Sequence, residues 1–409
     1  MSKKNKINGV YLFLISLVSA FGGLLFGYDW VVIGGAKPFY EAYLGIENFP
    51  VLQGWAMSSA LVGCILGVMT SGYYADRYGR KKLLILSAVL FIVSAVFTGL
   101  AENLTAFVIY RIIGGIGIGI TSNISPIYIA EVVPAHIRGR YVSLNQLTIV
   151  LGILSAQITN WLLAEEIVPG TDILDTWNGQ MGWRWMFWAE LIPAGIFFLL
   201  SFVIPESPRW LATVHQQEKA RKTLMRIGGE TYARQTLEEL TQVTRGQDGK
   251  QDYEWKAVFR PEMRKVLIIG IVLAIFQQWC GINVIFNYAH EIFSSAGYAV
   301  SDVLMNIVVT FVAIYTVDKW GRRTLMLIGS AGLALIYLTL GTCYFLDVSG
   351  LPMLLLVVLA IACYAMSLAP VVWVVLSEIF PVKIRGMAMA LSTFFLWVAC
   401  FVLTYTFPV

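Results

Sequence analysis

The chain has 409 residues, of which 58% are hydrophobic and 13% are charged, and its mean hydropathy is +0.71. Soluble globular proteins carry about 25% charged residues, so this composition excludes an ordinary soluble domain and predicts a protein with many membrane spans. The net charge of +4 is too small to indicate a nucleic-acid-binding protein.

A membrane-spanning helix needs about 20 apolar residues, and eleven segments come close to this requirement. They are 10–36, 52–74, 83–101, 105–129, 141–164, 183–204, 264–290, 302–317, 324–345, 351–379 and 385–408. The short basic N-terminus is followed by a long apolar run without a clear cleavage site, which indicates a retained first helix rather than a signal peptide.

The charged residues between these spans predict the orientation of the protein. Lys and Arg cluster in alternate loops, while the remaining loops are mainly acidic. Positively charged loops stay in the cytoplasm, so we expect a cytoplasmic N-terminus. The one long polar segment, 205–263, would be a cytoplasmic linker with amphipathic helices near 218–227 and 232–244. It divides the chain into an N-terminal bundle, 1–204, and an incomplete C-terminal bundle, 264–409.

Two loop motifs occur twice, about 245 residues apart. Asp-Arg-Tyr-Gly-Arg at 76–80 returns as Asp-Lys-Trp-Gly-Arg at 318–322, and the segment 131–139 returns in similar form at 378–386. Both copies fall on the same predicted side of the membrane. The pattern indicates two parallel homologous halves, an architecture typical of transporters.

The repeat also exposes two irregularities. The eighth span, 302–317, would reach only about 24 Å as a helix, less than the roughly 30 Å hydrocarbon core. The chain ends after an eleventh span, although two six-helix halves require a twelfth. Either the protein is truncated and internally shortened, or the sequence omits segments of the native chain, and we favour the second interpretation.

Further motifs identify a family resemblance that covers nearly the whole chain. They are Pro-Glu-Ser-Pro-Arg-Trp at 205–210, Gln-Gln-Trp-Cys-Gly-Ile-Asn at 277–283 and Pro-Val-Val-Trp at 370–373. With the repeated Gly-Arg signatures, the chain resembles the sugar porters of the major facilitator superfamily. It is most similar to bacterial proton-coupled D-xylose symporters and more distantly to animal glucose facilitators. The resemblance implies an all-α major facilitator fold of two six-helix halves.

Asp29 lies about 28 Å along the first predicted helix, in its outer half. Arg111 in the fourth span should lie at a similar depth, so the two side chains can meet. An ionisable group inside a membrane is a functional candidate by default, and protonation of Asp29 would release Arg111. The D-xylose symporters carry the same pair, which implies a role in proton coupling. A permanent structural ion pair is the alternative.

Amide side chains can donate and accept hydrogen bonds at once, which suits the hydroxyl groups of a neutral sugar. Gln277 and Gln278 should lie near the midplane, with Asn283 close by, although such amides can also simply join helices. The resemblance adds further candidate sugar contacts: Phe26, Gln146, Asn287, Trp373 and Trp397. Pro370 should break the tenth span just before Trp373.

The predicted pocket departs from the D-xylose symporter pattern at four positions. Ile153 stands in place of a glutamine and Asn287 in place of a tyrosine. Leu396 replaces a glutamine and Cys400 replaces an asparagine. The preferred sugar therefore does not follow from the resemblance.

Charged residues at the cytoplasmic helix ends form a second predicted constellation. Single exposed ion pairs contribute only about 0–1 kcal/mol, but a network repeated in both halves favours a gate. Its predicted members are Asp76, Arg80, Glu131, Arg138, Glu206, Arg209, Asp318, Arg322, Glu378 and Arg385.

We therefore expect a secondary active transporter that moves a monosaccharide with a proton across the bacterial inner membrane. It should work as a monomer in the lipid bilayer, without a cofactor, a metal ion or a nucleic-acid partner. A proton-independent uniporter and a transporter-derived sugar sensor are the alternatives. A membrane enzyme is least favoured, because we find no metal-ligand cluster, nucleophile–base pair or phosphate-binding loop in the sequence.

Overall fold

A computed structural model describes residues 7–134, 136–165, 170–245, 259–281, 322–346, 348, 350–380 and 385–407. These residues are mostly helical, and no strand occurs among them. The helices are α1 (Gly9–Leu44), α2 (Pro50–Tyr78), α3 (Arg80–Gly99), α4 (Leu104–Val132), α5 (Arg138–Leu163), α6 (Trp183–Trp188), α7 (Leu191–Val203), α8 (Pro208–Thr213), α9 (Gln217–Arg245), α10 (Pro261–Trp279), α11 (Arg322–Phe345), α12 (Leu351–Met366), α13 (Leu368–Ile379) and α14 (Arg385–Thr406). We call the side of the bundle on which α1 begins the start side, and the opposite side the far side.

Eight described helices are long and apolar enough to cross a membrane. Three of the eleven predicted spans are not among them. Span 264–290 is described as a helix only to Trp279 and begins with a charged turn, span 302–317 lies outside the described residues, and span 351–379 is broken. The break falls at Ser367, before α13, because Pro370 cannot donate a backbone hydrogen bond to the preceding turn.

Glycine residues allow the backbones of neighbouring helices in the first half to come into direct contact. A Cβ atom on Gly63 of α2 would lie 2.0 Å from the Ile112 carbonyl oxygen of α4, and one on Gly115 would lie 1.9 Å from the Ala60 oxygen. Gly27 of α1 and Gly152 of α5 make the same kind of approach. The glycine run at 114–119 in α4 therefore serves close helix packing.

The far ends of the helices differ from the predictions in several ways. Helix α1 continues to Leu44 and buries Lys37 and Glu41, which the sequence had placed in a loop. Their charged atoms lie 4.0 Å apart on successive turns, which offsets part of the cost of burial. The sixth span is divided into α6 and α7 between Trp188 and Leu191.

Two residues at the beginning of α6 are held by tertiary contacts. Trp183 is fully buried, and its indole N–H donates to the Gly179 carbonyl at 3.1 Å. Arg184 is also buried. It donates to the carbonyl oxygens of Gly99 and Ala101 and caps the end of α3.

The linker contains two helical segments, as predicted. Helix α9 is interrupted by a non-helical glycine, Gly229, between the two predicted amphipathic segments. The Asn8 backbone N–H donates to the Ile227 oxygen at 2.7 Å, so the linker is attached to the beginning of α1 on the start side.

Helix α14 connects the two parts of the chain. It packs along α2 and also along α10. The rings of Trp55 and Phe401 meet edge to face with centroids 6.3 Å apart, near the far side. Side chains of α14 therefore reach the region where α1, α2 and α4 converge.

Candidate transport site

Asp29 and Arg111 form an ion pair in the interior of the first half. Each side chain is only 2% exposed, and a guanidinium Nη of Arg111 donates to the Asp29 carboxylate. The second carboxylate oxygen of Asp29 and the Nε of Arg111 have no hydrogen-bond partner in the described structure. Helices α1 and α4 therefore meet at this ion pair, as predicted. Two polar atoms of the pair make no hydrogen bond within the described structure.

A second buried carboxylate lies beside this pair. Glu190, at the junction of α6 and α7, is 1% exposed and interacts electrostatically with both Asp29 and Arg111. The guanidinium of Arg111 also lies 5.7 Å from the centroid of the Phe187 ring. A second carboxyl group is therefore buried in the electrostatic environment of the Asp29–Arg111 pair.

A small cavity adjoins the ion pair. Asp29 and Arg111 contribute its polar wall, and most of the remaining wall is apolar. Its other lining residues are Trp30, Ile33, Met57, Ala60, Leu61, Cys64 and Ile118. The cavity lies between α1, α2 and α4, on the side of α1 that faces α14.

An aromatic cluster links this region to α14. The Phe26 and Trp397 rings meet edge to face at 5.6 Å, and Trp30 lies 6.0 Å from each of them. Trp397 is 2% exposed, and its indole N–H has no partner in the described part of the chain. A buried donor without a partner is costly to the apo protein, and a sugar hydroxyl could accept this bond.

The glutamine pair of α10 faces the broken helix α12–α13. Gln277 is 2% exposed and donates to the carbonyl oxygens of Leu368 and Ala369 at 3.4 and 3.3 Å. Gln278 in turn donates to the Gln277 side-chain oxygen at 3.4 Å. These long bonds hold the amides at the helix break, where a ligand with better geometry could replace them.

The structure describes only two of the other predicted sugar contacts. Trp373 and Gln146 are half-buried, and Trp373 packs against the main apolar cluster. No described hydrogen bond is made by the Gln146 side chain. Asn283 and Asn287 lie outside the described residues.

The predicted gate of the first half is assembled as a network on the start side. Arg80 contacts Asp76 at 3.1 Å and Glu131 at 3.0 Å. The second carboxylate oxygen of Glu131 accepts a 2.6 Å bond from the Ser207 hydroxyl. Glu131 is mostly buried, and this network joins the ends of α2 and α4 to the beginnings of α3 and α8.

Glu206 closes the same network from the side of α3. Its carboxylate accepts from the backbone N–H groups of Arg80 at 2.9 Å and Lys81 at 3.2 Å, at the beginning of α3. Burial raises the pKa of Glu206, although these backbone N–H groups and Arg80 oppose the shift. Gly79 has a φ of 94°, and a Cβ atom there would lie 2.2 Å from the Glu206 carboxylate, so the motif requires glycine.

The remaining predicted gate residues are not joined to this network. Arg138 and Arg209 are exposed, and neither forms an ion pair with a described residue. Asp318 lies outside the described residues, as do the side chains of Arg322, Glu378 and Arg385. The structure thus brings together Asp76, Arg80 and Glu131 of the first half and Glu206 at the beginning of the linker.

Three residues of these sites were missed by sequence reasoning. Glu190 sits in an apolar predicted span, and an acidic residue there should have marked it as a candidate. Trp30 follows Asp29 directly, but tryptophan in a membrane helix gives no specific signal. Ser207 was part of a recognised motif, and only the structure shows that its hydroxyl contacts Glu131.

With this geometry in view, comparisons with known proteins place the chain in a family. Residues 15–409 match the family "Sugar (and other) transporter", and the chain belongs to that family. It is 40% identical to the D-xylose-proton symporter of Escherichia coli strain K12, across 98% of this chain and 86% of the relative. It is 38% identical to the arabinose-proton symporter of Bacillus subtilis strain 168, across 95% and 83%.

A solved structure described as the major facilitator superfamily proton:xylose symporter XylE bound to 6-bromo-6-deoxy-D-glucose superimposes with a TM-score of 0.83. It is 40% identical and covers 98% of this chain and 89% of the other. The predicted all-α major facilitator fold is confirmed, and the protein is a multi-pass membrane transporter rather than an enzyme. The alignment with the E. coli relative runs over 435 positions, so part of that relative has no counterpart within these 409 residues.

Proposed function

We propose that this protein is a symporter that moves a monosaccharide together with a proton across the bacterial cytoplasmic membrane. The observation that carries the proposal is the buried Asp29–Arg111 pair beside an aromatic cluster with an unpartnered indole N–H. One part of the site can bind a proton, and the other can bind a neutral polar ligand. The named functions of the relatives, D-xylose and arabinose symport with protons, support the same assignment.

The proton step follows from the ion pair. When Asp29 is charged, it holds Arg111 in place, and removing one partner of a buried pair costs about 3–5 kcal/mol. Protonation therefore releases the guanidinium, which can turn toward Glu190. Because α1 and α4 carry the two partners, a change in their pairing alters the contact between these helices.

The sugar step uses donors and ring faces from both halves. Trp397 offers an N–H group, Phe26 offers an apolar ring for the C–H face of a sugar, and Gln277 offers an amide. A site built from such groups rejects analogues that lack the matching hydroxyls. Asn283, Asn287, Gln278, Gln146 and Trp373 complete the proposed sugar site.

Alternating access completes the proposal. The start side is the cytoplasmic side, and its charge network holds that side closed when the site faces outward. The bundles 1–204 and 264–409, joined by the linker 205–263, rock about the sugar site of a monomer in the bilayer. The far side then opens to the exterior.

The uniporter alternative makes a different prediction for the same site. A uniporter needs no titratable group at the sugar site, whereas here Asp29 is buried and paired with Arg111. A buried carboxylate beside the aromatic cluster favours the symporter.

Counterflow and uptake in proteoliposomes test the proposal. Purified protein is reconstituted, and a panel of pentoses and hexoses is compared with and without an inward proton gradient. We expect at least one monosaccharide to exchange without a gradient and to accumulate only with one. Exchange without gradient-driven accumulation would support the uniporter, and no exchange of any sugar would refute the proposal.

A further inference from the structure

Trp30 occupies a junction between the two halves of the site. It follows Asp29 in α1, and its ring packs against Phe26 on the same helix and against Trp397 on α14. The three rings form a continuous apolar layer, with centroid separations of 5.6 to 6.0 Å. On this face, Trp30 therefore contacts the residues that we assign to the sugar.

The other face of Trp30 belongs to the proton site. Trp30 lines the small cavity together with Asp29, Arg111 and Cys64. The charged or titratable groups around Asp29 are Arg111 from α4, Glu190 from the α6–α7 junction and Cys64 from α2. No residue other than Trp30 both lines this cavity and contacts Trp397 through its ring in the described structure.

We propose that Trp30 is a positioning residue that separates the water of the sugar site from the Asp29–Arg111 pair. The inference rests on the proposed function. A symporter must prevent protons from crossing without sugar, and water next to a buried carboxylate would provide that path. A large apolar ring between the two compartments limits hydration of the cavity, because it offers water few hydrogen-bond partners. The contacts that Trp30 makes with Phe26 and Trp397 are contacts of its ring.

Cys64 supplies a direct probe of this partition, because its side chain is fully buried and lines the same cavity. In full-length protein, the other four cysteines, Cys280, Cys343, Cys363 and Cys400, are replaced by alanine. A small methanethiosulfonate then labels Cys64. The thiolate attacks the sulfenyl sulfur, a disulfide forms, methanesulfinate leaves, and the thiol proton passes to water.

The labelling rate should depend on the ring at position 30. We expect Trp30→Ala to raise the rate at Cys64 about tenfold, because local opening no longer has to displace the indole. Trp30→Phe and Trp30→Leu keep an apolar side chain and should show smaller increases, in that order. Trp161→Ala removes a lipid-facing tryptophan of α5 that is 56% exposed, and it should leave the rate unchanged.

A proton-leak assay provides the functional readout. In proteoliposomes without sugar, Trp30→Ala should dissipate an imposed pH gradient faster than the parent protein. Trp30→Phe should return the rate of dissipation toward that of the parent. Equal labelling of Cys64 in the parent and in Trp30→Ala would overturn the inference, as would an unchanged leak. Labelling needs no sugar, so its outcome is independent of whether the protein transports one. Failure of the proposed function would instead appear as absence of sugar exchange in the parent protein.

Discussion

Replacement of Asp29 by asparagine tests the proton role most directly. The amide has nearly the same shape as the carboxylate but cannot carry the proton or the negative charge. Arg111, 2% exposed, would lose its ion-pair partner. The side-chain oxygen of the introduced asparagine can still accept a hydrogen bond from Arg111, so we expect the variant to fold, at a cost of up to about 3–5 kcal/mol for the buried charge.

The expected effect on transport can be stated in magnitude. One elementary charge moved through 100 mV corresponds to about 2.3 kcal/mol. At about 1.4 kcal/mol for each factor of ten, one coupled proton supports roughly fiftyfold accumulation of sugar. We therefore expect the parent protein to approach this ratio at 100 mV, and Asp29→Asn to equilibrate the sugar without concentrating it. Counterflow without a gradient should persist.

The assay is uptake of radiolabelled sugar into proteoliposomes under a defined proton gradient, with counterflow in the same preparation as the test of folding. Glu41→Gln is the matched control. It removes another buried carboxylate from α1, one that pairs with Lys37 rather than Arg111, so it should retain accumulation. If Asp29→Asn still concentrates sugar, Asp29 does not couple the proton to transport.

Three further predictions concern packing, binding and pH. Gly63→Ala places a Cβ atom 2.0 Å from a carbonyl oxygen of α4 and should lower the stability of solubilised protein by about 1–3 kcal/mol. Gly72→Ala in the same helix meets nothing within 4 Å, so its melting temperature should not fall. Trp397→Phe keeps a ring but removes the unpartnered N–H, and should raise the KM for sugar about fivefold to tenfold, the equivalent of one hydrogen bond. Trp161→Phe should leave that KM unchanged, and equal values in both variants would contradict the assignment. Burial raises the pKa of Glu206 in the folded protein, so the folded state binds this proton more tightly than the unfolded state does. The stabilisation that comes from this proton is therefore lost as pH rises through the pKa of the folded state. Thermal unfolding of the parent and Glu206→Gln should therefore show the parent losing stability relative to the variant as pH increases, and a pH-independent difference would refute this.

Periodic and repeated features of the sequence predicted the fold well. Long apolar runs determine where helices can span a bilayer, and eight of the predicted spans are found as long apolar helices in the described residues. The depth argument that placed Asp29 beside Arg111 also holds, because helix rise is constant. These are properties of single helices, and local sequence determines them.

Features that depend on contacts between helices were harder to predict. Lys37 and Glu41 look like loop residues until the helix is seen to continue and pair them. Trp183 has the composition of an interface residue, yet tertiary packing buries it. Glu190 lies where the chain is divided between α6 and α7 and is buried there, and no local pattern predicts that division.

The glycine contacts of the first half suggest a division of mechanical roles between the two halves. Helices α1 and α5, and likewise α2 and α4, touch backbone to backbone, so no flexible side chain separates them. Each of these two helix pairs therefore moves as one piece, and the Asp29–Arg111 contact joins one pair to the other. The broken helix α12–α13, held by long amide bonds from Gln277, has freedom to deform. Conformational adjustment to different sugars would therefore fall on the second half, where natural variation could alter the cargo without disturbing the energy source.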